Sequence, residues 1–370
     1  MTIQNLASLL LLLAQSVCLN AAGPVGAMPV AAEYQKDKVD TAVERAITFL
    51  VRNQDRTGYF MDKERGKEQE LAKTALALMA FAAVGHMPAD YTPEGRAMDR
   101  GLNAILRPGD RNSATSGYFG SRDSSSMYGH GIVTLALTEF LGMGKDRTQD
   151  SLIRDRSMRA IDVILKAQQV KKHHPRYQGG WRYKPNATDA DLSVSAWQVM
   201  ALRSANNAGI SVPQNAINGA AVYLRRSYFS SRDNLGRPTK SISGFGYQPG
   251  GAPNFAMTSA GLLALQVIGA YRLPEVEGAG KWLLQKKVTY QDSYFFYGGY
   301  YYCQAMKKLG GEYATTARQT MEAILLQEQV ADGSWIGGNG KERNLGRVYS
   351  TALGVLCLSV KYGYLPIYQD

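Results

Sequence analysis

The sequence has little cysteine and little histidine: three cysteines and four histidines occur in 370 residues. This excludes a disulfide-rich scaffold and leaves little material for a thiolate or imidazole metal site, so we expect no metal and no cofactor. Cys303 and Cys357 each lie inside an apolar helical run, where a buried free thiol is the usual state. A disulfide between them is compatible with export and stays open at this stage.

Charged side chains are absent from residues 1–32, and residues 9–13 of that stretch are all leucine. The apolar run is too short to span a bilayer and has the position of a secretory h-region. We therefore expect residues 1–27 to be a signal peptide and the mature domain to occupy residues 33–370. The protein is then expected to be exported, to the periplasm or to the extracellular space.

The net charge is +11, but the basic residues are scattered along the chain. No nucleic-acid-binding motif and no single basic stripe is present, so we expect no nucleic-acid partner. A basic surface would favour anionic lipid head groups, which makes peripheral contact with a membrane surface one expectation. An ordinary solvated surface with surplus lysine is the alternative.

One motif recurs along the chain: an aliphatic residue, a glutamine four residues later, and then glycine, any residue and an aromatic residue. Three copies are clear, with anchors at Leu50-Gln54, Leu165-Gln169 and Leu325-Gln329 and corners at Gly58-Phe60, Gly179-Trp181 and Gly333-Trp335. Weaker copies end at residues 117–119, 244–247 and 298–300. A repeat of this length indicates stacked supersecondary units.

Each copy lies between an amphipathic first helix and a more apolar second helix. The predicted first helices are 39–53, 98–106, 157–168, 215–226, 276–285 and 316–328. The predicted second helices are 71–84, 131–141, 193–205, 256–270, 297–309 and 348–361. The pattern predicts an all-α fold, an (α/α)6 toroid of six helix pairs in two concentric layers with the apolar helices inside. An open solenoid is the alternative architecture.

The repeated motif resembles the Gln-Trp repeat of squalene cyclases and of related prenyltransferase β-subunits, and the resemblance covers nearly the whole mature chain. It implies a central apolar cavity that holds a hydrophobic small molecule or a polyprenyl chain. The zinc set of the prenyltransferases, an Asp, a Cys and a His, is not matched, because no histidine accompanies Cys303 or Cys357.

The third repeat carries a further resemblance. Residues 189–193, Asp-Ala-Asp-Leu-Ser, resemble the Asp-x-Asp-Asp-Thr-Ala segment of squalene-hopene cyclases. The resemblance implies that Asp191 protonates a terminal alkene while Asp189 and a histidine hold it. Leu192 stands in place of the third acid, and Ser193 in place of the threonine.

Physical chemistry offers a second interpretation of these residues. A carboxylate just before a helix accepts backbone N–H bonds, which lowers its pKa, whereas a general acid needs desolvation or a like charge to raise it. Asp189 and Asp191 are therefore helix caps or an acid pair. His130, between two glycines at the start of an inner helix, either faces the cavity and orients a carboxylate or is bonded locally at the helix start.

The densest aromatic cluster lies at residues 294–297 and 300–302. Aromatic faces stabilise cations and stack on sugar rings, but packing in a core is their commoner use. Consecutive residues are spread round a helix axis, so only some of the cluster can face a cavity. The four tryptophans are expected to be structural.

Three functions follow as hypotheses. The first is a terpene-cyclase-like protein that binds or protonates a polyprenyl chain, with Asp191, Asp189 and His130 as the candidate catalytic residues. The second is a non-catalytic exported binding scaffold on the same fold. The third is a carbohydrate-active toroid, which would need two separated carboxylates facing each other across an open cleft.

Overall fold

A computed structural model describes residues 35–62, 68–107 and 117–368 of the chain. These ranges contain helices, turns and isolated bridges such as Tyr228 with Phe245, but no β-strand. The predicted signal peptide, residues 1–27, lies outside the described residues, and one compact unit begins at Lys38. No helix in the described part is both long and apolar enough to cross a bilayer.

Twelve long helices alternate between two kinds in the described ranges. The outer helices are α1 (Lys38–Arg52), α3 (Pro93–Leu106), α5 (Arg147–Gln169), α7 (Gln214–Ser227), α9 (Pro274–Gln285) and α11 (Gly311–Glu328). The inner helices are α2 (Glu70–Ala83), α4 (Ser126–Glu139), α6 (Leu192–Asn207), α8 (Phe255–Val267), α10 (Phe295–Leu309) and α13 (Arg347–Leu358), and a short α12 (Gly340–Arg343) precedes the last of them.

Burial separates the two layers. Every residue of α8 is buried, whereas α11 buries only Ala317, Met321 and Leu325. A helix that is apolar on all sides must be covered on all sides, so helices such as α8 form the inner layer. The outer helices turn their polar faces to solvent, as the sequence pattern predicts.

Helix starts differ from the predicted ones where a cap lies upstream of the apolar pattern. Helix α5 begins at Arg147 rather than at residue 157, because Asp146 accepts a hydrogen bond from the Gln149 N–H at 2.8 Å. Helix α3 begins at Pro93, directly after the capping residue Thr92. Caps decide where these helices begin, while the apolar residues decide which face is buried.

The helices close into a ring. Each inner helix packs against the next, and α13 packs against α2, while α11 of the outer layer packs against α1. Gln329 Nε2 donates to the Ala42 carbonyl at 2.7 Å, and the Arg45 guanidinium donates to the Val330 carbonyl at 2.9 Å. The predicted all-α toroid is confirmed, and the open solenoid is excluded.

The glutamine of the repeated motif joins neighbouring repeats. Gln54 Nε2 donates to the carbonyl of Gly58 at 2.9 Å and to that of Ala97, on the next outer helix, at 2.8 Å. Gln329 makes the same pair of bonds. In the third repeat the residue with this role is Gln168, whereas the predicted Gln169 is exposed, so the predicted register was wrong by one residue.

The glycine of the motif is required by contact with the next outer helix. Gly58, Gly179 and Gly333 have φ angles of 99°, 92° and 91°, a region that side chains disfavour. A Cβ on Gly179 would lie 2.1 Å from the carbonyl oxygen of Gly219. Any larger residue would push the two repeats apart.

The aromatic residue of the motif is tied to the inner helix that follows it. Its backbone N–H donates to a hydroxyl group on that helix, in the pairs Phe60 with Thr74, Trp181 with Ser195, Phe245 with Thr258 and Trp335 with Thr351. The corner is thereby fixed to both layers, and the buried N–H is satisfied.

Candidate functional site

A cavity of about 950 Å³ lies where the inner helices begin. Each inner helix contributes at least one lining residue, among them Ala72, Tyr128, Ser193, Ala256, Tyr297 and Tyr349. The cavity is therefore central to the ring and is built by the layer that the sequence pattern predicts to be buried.

Aromatic side chains form much of the cavity wall. Tyr128 and Tyr297 lie with their ring centroids 6.0 Å apart, and Phe255, Trp282 and Tyr349 line the same space. Burial raises the pKa of Tyr128 and of Tyr349 well above the ordinary value of 10, so both phenols stay neutral. This part of the wall is uncharged and largely apolar.

The remainder of the wall is polar. Lys73, Lys286, Asp292 and serines 124–126 line it. Lys286 Nζ lies 3.0 Å from Asp292 Oδ1, so these two charges form an ion pair. The cavity lining thus combines groups suited to hydrocarbon with groups suited to a polar substituent.

Side-chain oxygens cap five of the inner helices beside the cavity, and we call these five residues the cap collar. In each case a backbone N–H donates to the side-chain oxygen of a cap collar residue: Arg347 to Asp62 at 2.7 Å, Leu71 to Asp123 at 2.9 Å, Val194 to Asp191 at 2.9 Å, Met257 to Asn254 at 3.0 Å and Tyr297 to Glu342 at 3.1 Å. Such oxygens satisfy the free N–H groups of the first turn and favour the helix dipole. A carboxylate at the start of an inner helix is therefore a repeated structural feature of this ring.

Asp191 differs from the rest of the cap collar because its second carboxylate oxygen is paired with an arginine. Its Oδ1 accepts from Ser193 Oγ at 2.6 Å and from the Val194 N–H, while its Oδ2 accepts from Arg182 at 3.0 Å. Burial raises the pKa of Asp191, and the two hydrogen bonds and the Arg182 charge oppose that shift. Because Ser193 lines the cavity, Asp191 lies directly behind the wall.

Arg182 connects the two predicted acids to the cavity. Its Nε lies 3.3 Å from Asp189 Oδ2, and its guanidinium also donates to Tyr247 Oη at 3.0 Å. It lies 4.9 Å from the ring centroid of Tyr183 and 5.4 Å from that of Tyr247. The hydroxyls of Tyr183 and Tyr247, both on the cavity wall, are 2.7 Å apart. We call Arg182, Tyr183 and Tyr247 the arginine cluster.

The arginine cluster was not predicted from the sequence. Arg182 and Tyr183 directly follow the motif residue Trp181, so the repeat pattern could have placed them beside the acids. Tyr247 follows the motif aromatic Phe245 of the next repeat by two residues, within the glycine-rich stretch 244–251. Its place beside Arg182 follows only from the way the ring brings two repeats together.

His130 lies away from these acids and does not line the cavity. Its Nδ1 accepts from the Phe119 N–H at 3.2 Å, so Nε2 carries the proton and donates to the Ala160 carbonyl at 3.1 Å. Burial lowers the pKa of His130 to about 4, which keeps the ring neutral at neutral pH. His130 has the place of the hydroxyl residues that bond the motif aromatic in other repeats.

The structure thus joins Asp189 and Asp191 through Arg182 and does not join His130 to them. Of the two interpretations of His130, the cavity-facing one does not hold, because both ring nitrogens bond backbone groups between the two layers. The catalytic roles of the three residues stay predictions.

The tyrosine-rich stretch divides as a helix requires. Tyr294 and Tyr297 line the cavity, whereas Tyr300 stacks on Trp197 at 5.5 Å between ring centroids and Tyr301 is fully buried. Of this stretch, Tyr294 and Tyr297 are therefore the residues available to a ligand.

Groups able to hold a metal do not converge in the part of the chain that the structure describes, where no three His, Cys, Asp or Glu side chains come together. Asp292 on the wall is engaged by Lys286 and by the Thr289 N–H at 2.9 Å. The carboxylates of the cap collar already accept backbone N–H bonds.

Comparisons with known proteins agree with this architecture. The prenyltransferase alpha-alpha toroid domain family matches residues 18–128, 239–295 and 283–365. A structure of a point variant of the type II terpene cyclase MstE from Scytonema, in complex with its substrate geranylgeranyl dihydroxybenzoate, is similar with a TM-score of 0.55 and 15% identity, over 89% of this chain and 98% of that one. The apo structure of MstE is similar with a TM-score of 0.38 and 13% identity, over the same shares. Comparison with curated proteins finds no match.

Proposed function

Because the chain belongs to the prenyltransferase alpha-alpha toroid domain family, we propose that it binds a prenyl or terpenoid chain in its central cavity. The aromatic wall of that cavity, built by Tyr128, Tyr297, Tyr349, Phe255 and Trp282, is the observation that carries the proposal. The terpene-cyclase-like fold is compatible with binding alone and with cyclization.

The size and the surface of the cavity favour such a ligand. Binding cavities for small organic molecules hold roughly 300–1,000 Å³, and this cavity is near the upper end of that range. Burying hydrocarbon against a neutral wall contributes about 0.8 kcal/mol for each CH₂ group. A long prenyl chain therefore gains more from this wall than a compact polar ligand does.

The mixed lining of the wall favours a ligand that has both a hydrocarbon part and a polar part. The lining includes Tyr128 and Tyr297 as well as Ser125, Lys286 and Asp292. Geranylgeranyl dihydroxybenzoate, with which the similar MstE variant was solved, combines a prenyl chain and a polar ring. A prenylated compound of that general kind would suit both kinds of lining residue.

Fluorescence of Trp282 provides the test, because this tryptophan lines the cavity while Trp181, Trp197 and Trp335 are fully buried. We expect geranylgeraniol to change the emission saturably, and we expect the signal to disappear in Trp282→Phe. Maltooligosaccharide is the control ligand for the carbohydrate hypothesis.

Two further variants show where the ligand binds. Ala72→Phe places a ring inside the cavity and should weaken geranylgeraniol binding by at least tenfold. Leu152→Phe adds a ring on the exposed side of α5 and should leave affinity unchanged. Equal affinity in the two variants, or saturable binding of the oligosaccharide alone, would contradict the proposal.

Protonation of the bound chain by Asp191 is the second candidate function. It is favoured by the position of Asp191 behind the cavity-lining Ser193 and by the burial that raises its pKa. Asp191→Asn keeps an oxygen that can cap α6 and removes the acid. Incubation with squalene and geranylgeranyl substrates should give a cyclic product with the native protein only; equal product from the variant would remove Asp191 from this role.

Export is part of the same proposal and rests on the charge-free leucine run near the amino terminus. Expression of the full chain in a bacterium should yield a mature form that begins after residue 27 outside the cytoplasm. An unprocessed form retained in the cytoplasm would overturn this part.

A further inference from the structure

A second cavity, of about 190 Å³, lies near the carboxyl ends of α10 and α13, away from the starts of the helices that line the central cavity. Cys303 of α10, Cys357 of α13 and Met321 of α11 line it. Both cysteines are free thiols with 4% of their surface exposed. None of these residues has a part in the proposed ligand site.

The two thiols are neighbours because α10 and α13 pack closely. Gly299, one turn before Cys303, allows this approach: a Cβ on Gly299 would lie 3.3 Å from Cys357 Sγ and 2.6 Å from Met321 Cε. Both cysteines line the same small cavity, and the Cys303 thiol is near enough to raise the pKa of the Cys357 thiol. Two cysteines on adjacent helices thus lie beside one cavity that small reagents can enter.

We propose that Cys303 and Cys357 form a reversible dithiol–disulfide pair that links α10 to α13. A small organic disulfide is the oxidant. One cysteine thiol loses its proton to solvent, and the resulting thiolate attacks that disulfide and expels one reagent thiolate. The second cysteine thiolate then attacks the protein sulfur of the mixed disulfide and expels the other. The protein loses two protons and two electrons, and one reagent disulfide becomes two thiols.

The surroundings determine the rate of this exchange. Burial is the largest cause that raises the pKa of the Cys357 thiol, followed by the neighbouring Cys303 thiol. The charged groups around the cavity are Lys307 on α10, Arg318 and Glu322 on α11, and Lys361 after α13. Because the thiolate is the attacking species, oxidation should be slow at neutral pH and faster in alkaline buffer.

Intact-mass analysis tests the proposal on the full chain with Cys18→Ser, which leaves these two cysteines as the reactive thiols. After incubation with hydroxyethyl disulfide at about pH 9, followed by denaturation and alkylation, we expect loss of two hydrogen atoms and no alkylation. Dithiothreitol should restore both thiols. The reaction should slow at least tenfold at about pH 7.

Cys303→Ala and Cys357→Ala are matched controls, since each should retain one hydroxyethylthio adduct on the remaining cysteine. Adducts without an internal bond in the two-cysteine protein, or two thiols that still alkylate fully after the alkaline incubation, would overturn the proposal. The readout needs no ligand, so its failure leaves the proposed prenyl binding untouched.

Discussion

Replacing Arg182 by methionine is the sharpest perturbation of the candidate site. The guanidinium contacts Asp191, Asp189 and Tyr247 within 3.3 Å, so its removal takes a charged partner from each carboxylate. Asp189 is partly exposed and can be solvated instead. Asp191 is fully buried, and its Oδ2 is left without the arginine.

The magnitude follows from that difference in exposure. Loss of a hydrogen bond to a charged group costs about 1.5–3 kcal/mol, and breaking a fully buried ion pair costs about 3–5 kcal/mol. The Arg182 side chain keeps 24% of its surface exposed, which places this pair below the fully buried limit. We expect Arg182→Met to lower the free energy of unfolding by about 2 kcal/mol at pH 7.

The cost depends on pH because burial already raises the pKa of Asp191 and the arginine opposes that shift. Without Arg182 the pKa of Asp191 rises further. A carboxyl group whose pKa is higher in the folded than in the unfolded state contributes stability in acid, and this contribution is lost as the pH rises through the folded-state pKa. The cost of Arg182→Met should therefore be small near pH 4 and complete at about pH 7.

A double-mutant cycle in urea isolates the interaction. In the Asp191→Asn background, Arg182→Met should cost at least about 1 kcal/mol less than in the native background. Arg203→Met, at an exposed position of α6, the helix that Asp191 caps, is the control and should be close to neutral. A coupling energy near zero, or a cost of Arg182→Met that is the same at both pH values, would refute the reasoning.

Three other changes test the fold around the site by urea unfolding. Burial raises the pKa of Glu139 to about 7, so stability should fall as the pH rises from about 4.5 to about 7, and Glu139→Gln should reduce that fall by roughly 3 kcal/mol. His130→Ala removes the partner of two buried backbone groups and should cost roughly 3 kcal/mol or more, with unchanged geranylgeraniol affinity in the folded fraction. Gln168→Ala should cost about 1–3 kcal/mol, while the neighbouring Gln169→Ala should stay within about 0.5 kcal/mol; similar losses in both would refute the assignment of the repeat glutamine.

The fold was predictable because its determinants are local and repeated. Alternating amphipathic and apolar helices specify two layers, and the glycine corners specify where the chain turns between them. The register of the third repeat was not predictable, because Gln168 and Gln169 are adjacent and each follows an aliphatic residue at the required spacing. Only the direction in which each side chain leaves the helix distinguishes them.

The candidate site was predictable in part. The acids at 189 and 191 were found because they precede an apolar helix, a feature of the sequence alone. The hydrogen bonds of His130 could not be predicted, because its partners Phe119 and Ala160 come from a corner and from an outer helix. Tyr247 likewise contacts Arg182 across 65 positions of the chain. Contacts between neighbouring repeats and between the two layers leave no local pattern.

The contacts of Asp191 within the cap collar determine whether its carboxyl group can donate a proton. Bonds from the Val194 N–H and from Arg182 favour the ionised carboxylate, while burial favours the protonated form that an alkene would need. Within the cap collar, Glu342 is also buried; it accepts backbone N–H bonds and has no arginine among its hydrogen-bond partners, and burial raises its pKa to about 7. The positive charge of Arg182 opposes the protonated form of Asp191, and Glu342 has no such opposing charge. A ligand that draws Arg182 away would favour the protonated form of Asp191, and Tyr183 and Tyr247, which hold the guanidinium and line the cavity, are where such a ligand would act.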